Sequence, residues 1–251
     1  MMDRLYRKNG IYFAISWIVI YVVGLSFADN LSVMIGMEKS ITVVVCLLLT
    51  VILAGWMKKN AYLQKYGLCR PTVASAQMLY YIPLAVMISV NLWFGITMNL
   101  SPAKTIFYMV SMLFVGFLEE IIFRGLLFVE MCKDNVKTAV VVSSVTFGIG
   151  HIVNLFNGSE VDLFSNLLQV VYAIAAGFLF TIIFMRTKSL WPCIITHSVL
   201  NALSIFSNES AMTPAKELIG AIALMIIPMV YSWYILRNWD VEKKSISDRK
   251  E

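Results

Sequence analysis

Three ionisable side chains lie within one apolar segment of the chain, which reads Phe117-Leu118-Glu119-Glu120-Ile121-Ile122-Phe123-Arg124-Gly125. Glu120 and Arg124 are four residues apart, so on a helix they share a face and can form an ion pair. Glu119 is rotated by about 100° from its neighbour, which leaves it the less compensated carboxylate. Such a buried carboxylate suits a general acid or base. The alternative is a protonated carboxyl group that only bonds to a neighbouring helix.

The two histidines of the chain, His151 and His197, also lie within apolar segments. Glycines at 148 and 150 precede His151 and permit close approach by another helix or a substrate. Asn201 follows His197 by four residues, so the two share a helix face. Because polar groups in hydrocarbon need partners on other helices, we expect the carboxylates, histidines and amide to converge in one buried cluster.

The composition identifies an integral membrane protein. Hydrophobic types make up 59% of the 251 residues and charged types 14%, whereas a soluble domain carries about 25% charged residues. Too little polar surface remains to cover a water-soluble globule. Disordered, collagen-like and disulfide-scaffold chains are excluded by the same numbers. We therefore predict one all-α, polytopic membrane domain over residues 1–251.

Eight apolar segments are candidate transmembrane helices, since a spanning helix needs about 20 mostly apolar residues. They run roughly over 11–28, 40–57, 76–98, 102–131, 136–154, 162–185, 189–206 and 215–236. The helices within 102–206 carry all of the polar cluster, so the site should be buried inside the bundle. Pro83 and Pro228 lie inside spans and should kink them.

The basic residues predict the orientation of these spans. With both termini in the cytoplasm, 16 of the 20 Lys and Arg residues fall on the inner side. Lys39, Lys104 and Lys216 fall on the outer side, and Arg124 lies within a span. This asymmetry follows the positive-inside rule. We expect a bacterial cell membrane protein with the lipid bilayer around it.

Several other classes of protein lack support in the sequence. No Lys/Arg-rich run with interleaved aromatics occurs, so a nucleic-acid partner is not expected. The four cysteines, at 46, 69, 132 and 193, are widely separated and form no CxxC, so they predict neither a disulfide framework nor a Cys-rich zinc site. HExxH, GxSxG, GxGxxG and Walker patterns are absent.

A cluster of this kind can hydrolyse a peptide bond in two ways. In the first, Glu119 takes a proton from water that His151 orients, while His197 and Asn201 donate hydrogen bonds to the developing oxyanion. In the second, Glu119, His151 and His197 bind a zinc ion, which lowers the pKa of its bound water toward 7. Glu120 is then the candidate base. The residues alone leave both open.

The three motifs resemble those of the CPBP family, the CAAX-protease and bacteriocin-processing membrane proteins, also called the Abi family. The motifs are Glu119-Glu120-x-x-x-Arg124, Phe147-x-x-x-His151 and His197-x-x-x-Asn201, and they cover about a third of the chain. The eukaryotic relatives are the CAAX prenyl endopeptidases of the Ras-converting type. One such motif is a weak signal, whereas three in order among eight predicted spans are specific.

The resemblance implies an intramembrane endopeptidase that acts on a peptide or membrane-protein substrate. It implies that Glu119 is the catalytic glutamate, that Glu120 supports it and that His151 helps activate water. His197 and Asn201 would bind the oxyanion, while Arg124 and Phe147 would be structural. A metal-free glutamate mechanism is favoured over a metalloprotease, so no cofactor is expected, with zinc as the alternative. The oligomeric state does not follow from the sequence.

Two other functions remain open at this point. A non-proteolytic immunity or scaffold protein that retains the motif residues would work unchanged with Glu119→Gln. A proton-coupled transporter would use the same residues as a relay, but it predicts repeated halves and broken helices, which the sequence does not show.

Overall fold

The computed structural model describes residues 2–156 and 161–247, of which residues 240–247 are described by their backbone alone. Within these residues the chain is helical and contains no strand; Ile96 and Ser207 form an isolated antiparallel bridge. The α-helices are α1 (Met2–Lys8), α2 (Gly10–Met34), α3 (Ser40–Lys59), α4 (Ile82–Ser89), α5 (Pro102–Glu119), α6 (Val129–Met131), α7 (Val136–Gly150), α8 (Leu163–Thr187), α9 (Trp191–Leu203) and α10 (Pro214–Ser247). The prediction of an all-α membrane protein is confirmed.

Seven helical segments of the described chain are long and apolar enough to cross a membrane. They are Gly10–Met34, Ser40–Lys59, Ser75–Leu92, Pro102–Met131, Val136–Leu155, Leu163–Thr187 and Pro214–Trp239. The eighth expected span, 189–206, forms the shorter apolar helix Trp191–Phe206. At about 1.5 Å per residue, this helix is shorter than the bilayer core of about 30 Å.

The third span differs from the helix kinked at Pro83 that the sequence predicts over 76–98. It begins as a 3₁₀ segment, Ser75–Tyr81, and α4 follows. Leu79, Tyr80 and Tyr81 have φ values of 46°, 51° and 59°, a conformation that interrupts a right-handed helix. Pro83 lies in the first turn of α4, where proline is tolerated, so the break precedes the proline instead of being caused by it.

The fourth span changes its helical type where the first motif begins. It starts as α5, with Pro102 in the first turn, continues as a π-helical segment, Glu120–Phe128, and ends with α6. All nine residues of the π segment are buried. Short π-helical stretches occur often at functional sites, because the wider turn reorients the side chains that it carries. Here that turn begins at the second glutamate of the motif.

Two glycines let the site helices pack closely. A Cβ on Gly116 of α5 would lie 2.6 Å from the backbone nitrogen of Ser198 on α9. A Cβ on Gly148 of α7 would lie 2.8 Å from the backbone of Ile174 on α8. The close approach of another helix is therefore confirmed at Gly148. At Gly150 no other helix of the described chain approaches, because a Cβ there would meet open space, so approach by a substrate remains the prediction for that glycine.

Candidate functional site

The first motif forms a fully buried ion pair. Arg124 Nη1 donates to Glu120 Oε1 over 3.0 Å, and both side chains have 0% exposure. The four-residue spacing predicted this pair, and it persists although the segment is π-helical. A buried carboxylate and guanidinium stabilise each other only when both are present, because either alone is an uncompensated charge.

His197 joins the two carboxylates of the motif. Its Nδ1 lies 2.9 Å from Glu120 Oε1, and its Nε2 lies 3.4 Å from Glu119 Oε2. Since Glu120 Oε1 is also the acceptor for Arg124, a single carboxylate oxygen holds both the guanidinium and the imidazole. The expected convergence of α9 with the first motif is thus present in the structure.

Glu119 has a partner that the motifs do not include. The hydroxyl group of Tyr21, on α2, donates to Glu119 Oε1 over 2.7 Å. Tyr21 is 6% exposed, and the Glu119 side chain is 14% exposed. Glu119 Oε2 has no hydrogen-bond partner within the described chain. One carboxylate oxygen is therefore held by tyrosine, while the other faces His197 and can still accept a proton or a water molecule.

Phe147, the first residue of the second motif, contacts Arg124 and both histidines. The Arg124 guanidinium lies over its ring, with Cζ 4.0 Å from the centroid. The rings of His151 and His197 make edge contacts with it at centroid distances of 5.2 and 5.5 Å. Phe180 of α8 lies 6.0 Å from the His197 ring. The cation and both histidines thus contact one aromatic side chain.

His151 lies directly after the end of α7, at the start of a 3₁₀ segment, His151–Leu155. Its Nδ1 is 3.2 Å from the Phe147 carbonyl oxygen, and its own carbonyl accepts a hydrogen bond of 2.9 Å from the side chain of Asn166. Asn166 is fully buried on α8 and, like Tyr21, was missed in the sequence. The sequence did offer one signal for Asn166, because a polar amide near the start of an apolar span needs a hydrogen-bond partner.

Asn201 is half-buried, one turn beyond His197 on α9. Its carbonyl oxygen accepts from the Ser204 hydroxyl group over 2.8 Å. Within the described residues, its side chain makes no hydrogen bond with the other motif residues. The contacts of the described residues therefore do not join the Asn201 side chain to the carboxylates.

The cluster keeps unused hydrogen-bonding capacity in the part of the chain that the structure describes. Buried atoms without a partner there include Glu119 Oε2, Glu120 Oε2, Arg124 Nε and Nη2, and the Ser144 hydroxyl oxygen. Buried polar atoms are usually paired with protein or water. These atoms are therefore available to water or to a polar substrate group.

The three candidate zinc ligands do not assemble into a metal-binding group. Among the described residues, no three His, Cys, Asp or Glu side chains are arranged to hold a metal ion. His197 approaches Glu119, but its other nitrogen is used by Glu120. In this conformation Glu119, His151 and His197 are therefore not gathered as a three-ligand group.

A family of known proteins is similar to the part of the chain that carries the three motifs. A family model described as "Type II CAAX prenyl endopeptidase Rce1-like" matches residues 101–203, which include every motif residue. "Putative membrane peptidase YdiL" of Bacillus subtilis (strain 168) is 29% identical over 131 residues. The region that carries the three motifs is therefore similar to the CAAX prenyl endopeptidases of this family model. No solved structure matches the chain significantly.

The similarity is confined to part of the chain. The aligned region covers 49% of this chain and 48% of the Bacillus subtilis relative, so the chain spans about half the length of the curated relative that it matches. The family model covers α5, α7, α8 and α9, but not α2. Tyr21 therefore contributes to the cluster from outside the region that the family model matches.

Proposed function

We propose that this protein is an intramembrane endopeptidase of the CPBP family, which hydrolyses a peptide bond in a peptide or membrane-associated substrate. The observation that carries the proposal is the contact between Glu119 and His197. A carboxylate oxygen without a hydrogen-bond partner faces an imidazole nitrogen at 3.4 Å, deep within a membrane protein. The match to a CAAX endopeptidase family and the similarity to a putative membrane peptidase of Bacillus subtilis support the same activity.

Glu119 is the general base in this proposal. Its Oε2 removes a proton from a water molecule, whose oxygen attacks the carbonyl carbon of the scissile bond. The carbonyl π electrons move to oxygen and form the tetrahedral oxyanion. When the C–N bond breaks, Glu119 returns the proton to the leaving amine, so the carboxylate is regenerated. His151, which contacts Phe147 beside this cluster, orients the water.

His197 and Asn201 stabilise the oxyanion. His197 Nδ1–H donates to Glu120 Oε1, which directs Nε2 toward Glu119 and the reacting carbonyl group. When both ring nitrogens carry protons, Nε2–H donates to the oxyanion together with the Asn201 amide. Donors held in place before the reaction stabilise the transition state without reorganising.

Glu120 and Arg124 support this arrangement. Arg124 is a fixed cation beside Glu120, and a protonated His197 is a second cation beside Glu119. The four groups then carry two negative and two positive charges, so the cluster is neutral. Neutrality matters because an unbalanced charge inside a membrane protein is costly.

The proposed mechanism needs no metal ion. The alternative, a zinc ion bound by Glu119, His151 and His197, would activate the water directly. In the conformation described here, His197 uses Nδ1 for Glu120 and His151 uses Nδ1 for the Phe147 carbonyl. These contacts favour roles as hydrogen-bonding groups for both histidines.

A comparison of peptide termini tests the proposed activity. Terminus-enriched mass spectrometry of membrane and medium compares cells that express the wild type, Glu119→Gln and the control Glu209→Gln at equal levels. Glu209 is exposed and lies on a short turn outside the cluster. We expect termini that appear with the wild type and the control but not with Glu119→Gln. Identical profiles for all three, under conditions where the protein has a phenotype, favour an immunity or scaffold protein.

A further inference from the structure

We infer that Tyr21 is a positioning residue for the catalytic carboxylate, and that the first spanning helix therefore completes the active site. This inference rests on the proposed function of Glu119 as the general base. Tyr21 belongs to α2, whereas the match to the endopeptidase family model begins at residue 101. It extends the candidate site to a helix that no motif or family match assigns to it.

The Tyr21 hydroxyl group decides which oxygen of Glu119 can react. It donates to Oε1 over 2.7 Å, which leaves Oε2 without a hydrogen-bond partner in the described chain and 3.4 Å from His197 Nε2. A glutamate side chain has considerable rotamer freedom. A hydrogen bond at one oxygen restricts that freedom and directs the other oxygen toward the imidazole.

The ring and the hydroxyl group of Tyr21 have different roles. The ring belongs to the buried face of the helix, between Trp17 one turn before it and Leu25 one turn after it. A phenyl ring fills the same space, so packing alone does not require the hydroxyl group. A buried tyrosine hydroxyl needs a hydrogen-bond partner, and the structure provides Glu119 for that purpose.

The two adjacent glutamates are held by donors of different charge. Glu120 forms an ion pair with the Arg124 guanidinium, while Glu119 accepts from a neutral hydroxyl group. A neutral donor orients a carboxylate without adding a fixed positive charge beside it. Glu119 can therefore be oriented by Tyr21 and still exchange a proton with water.

The test compares Tyr21→Phe with a matched control. Tyr231 is also a buried tyrosine, and its hydroxyl group donates to the Met78 carbonyl oxygen over 2.6 Å, on helices outside the motifs. The substrate is a synthetic peptide that spans a Glu119-dependent cleavage site from the comparison of termini. The proteins are reconstituted in lipid vesicles, and kcat and KM are measured for the wild type, Tyr21→Phe, Tyr231→Phe and Glu119→Gln.

We expect Tyr21→Phe to lower kcat about tenfold or more, as loss of a hydrogen bond to a charged group allows, with little change in KM. Tyr231→Phe should retain the wild-type kcat. If Tyr21→Phe keeps the wild-type kcat while Glu119→Gln is inactive, this inference is wrong and the proposed function stands. A fully active Glu119→Gln, or the absence of any Glu119-dependent terminus, overturns the proposed function and this inference with it.

If Tyr21→Phe does not fold, a second substitution at position 21 tests the inference. A fluorinated tyrosine at position 21 keeps the ring and the hydroxyl group but makes the hydroxyl group a stronger acid. We expect it to displace the pH profile of kcat, because it changes the hydrogen bond to the base. The same substitution at Tyr231 should leave the profile unchanged. A profile that does not move with the substitution at Tyr21 overturns the inference.

Discussion

His197 Nδ1 lies 2.9 Å from Glu120 Oε1, the same oxygen that accepts from Arg124 Nη1 at 3.0 Å. The second glutamate of the motif is therefore the link between α9 and the fourth span. It orients the imidazole and neutralises the arginine at once. Glu119, by contrast, has the Tyr21 hydroxyl group as the hydrogen-bond partner of its Oε1, while Oε2 of each glutamate has no hydrogen-bond partner in the described chain.

This link makes the Glu120 and Arg124 contributions to stability strongly coupled. Glu120→Gln or Arg124→Met alone leaves a buried charge without its partner, and we expect each to cost about 3–5 kcal/mol in the free energy of unfolding. The double variant removes both charges and should cost less than the sum of the two. Unfolding in detergent micelles measures all three variants, and strictly additive losses would contradict the coupling.

The two glycines before His151 should respond differently to the same substitution. Gly148→Ala places a methyl group against the backbone of α8, so we expect a loss of about 1–3 kcal/mol through overpacking. Gly150→Ala meets open space and should be neutral or stabilising, since alanine favours the helix. Thermal unfolding of the Gly148→Ala and Gly150→Ala variants measures both effects. Equal effects would show that α7 and α8 do not pack as described.

The two histidines should affect catalysis in different ways. His197 contacts both carboxylates, so His197→Ala should lower kcat by about 10²- to 10⁴-fold, the contribution typical of a positioned catalytic group. His151 has no contact with a carboxylate among the described hydrogen bonds and ion pairs, so His151→Ala should have a smaller effect. Kinetics with the vesicle assay compare the two. A larger loss for His151→Ala would reverse the proposed roles.

Removal of metal ions should leave the activity unchanged. Treatment with a zinc chelator, followed by cleavage assays and metal analysis of the purified protein, distinguishes the two mechanisms. We expect full activity and less than one zinc ion per chain. Loss of activity that returns with added zinc, but not with magnesium, would establish the metal-dependent alternative at Glu119, His151 and His197.

The charge distribution predicts that both termini lie in the cytoplasm. Reporter domains that are active only in the cytoplasm, fused in turn to each end of the chain, should both be active. A reporter at residue 100, before the fourth span, should be inactive, since this loop is on the predicted outer side. An active reporter there would reverse the assignment.

Local spacing in the sequence determined the parts of the site that lie on a single helix. The composition determined the membrane class, because so few charged residues cannot cover a soluble surface. The four-residue spacing of Glu120 and Arg124 determined their ion pair, which the structure contains. Even the meeting of His197 with the carboxylates followed from the need of buried polar groups for partners.

Only the tertiary structure decided the contacts that depend on how separate helices pack. Tyr21 meets Glu119 across 98 positions of sequence, and no local pattern marks which buried tyrosine faces the site. The left-handed residues Leu79 to Tyr81 and the short helix Trp191–Phe206 likewise departed from the expected spans. Apolar length predicts that a segment lies in the membrane, but neighbouring helices decide where it bends, how far it extends and which of its side chains reach the site.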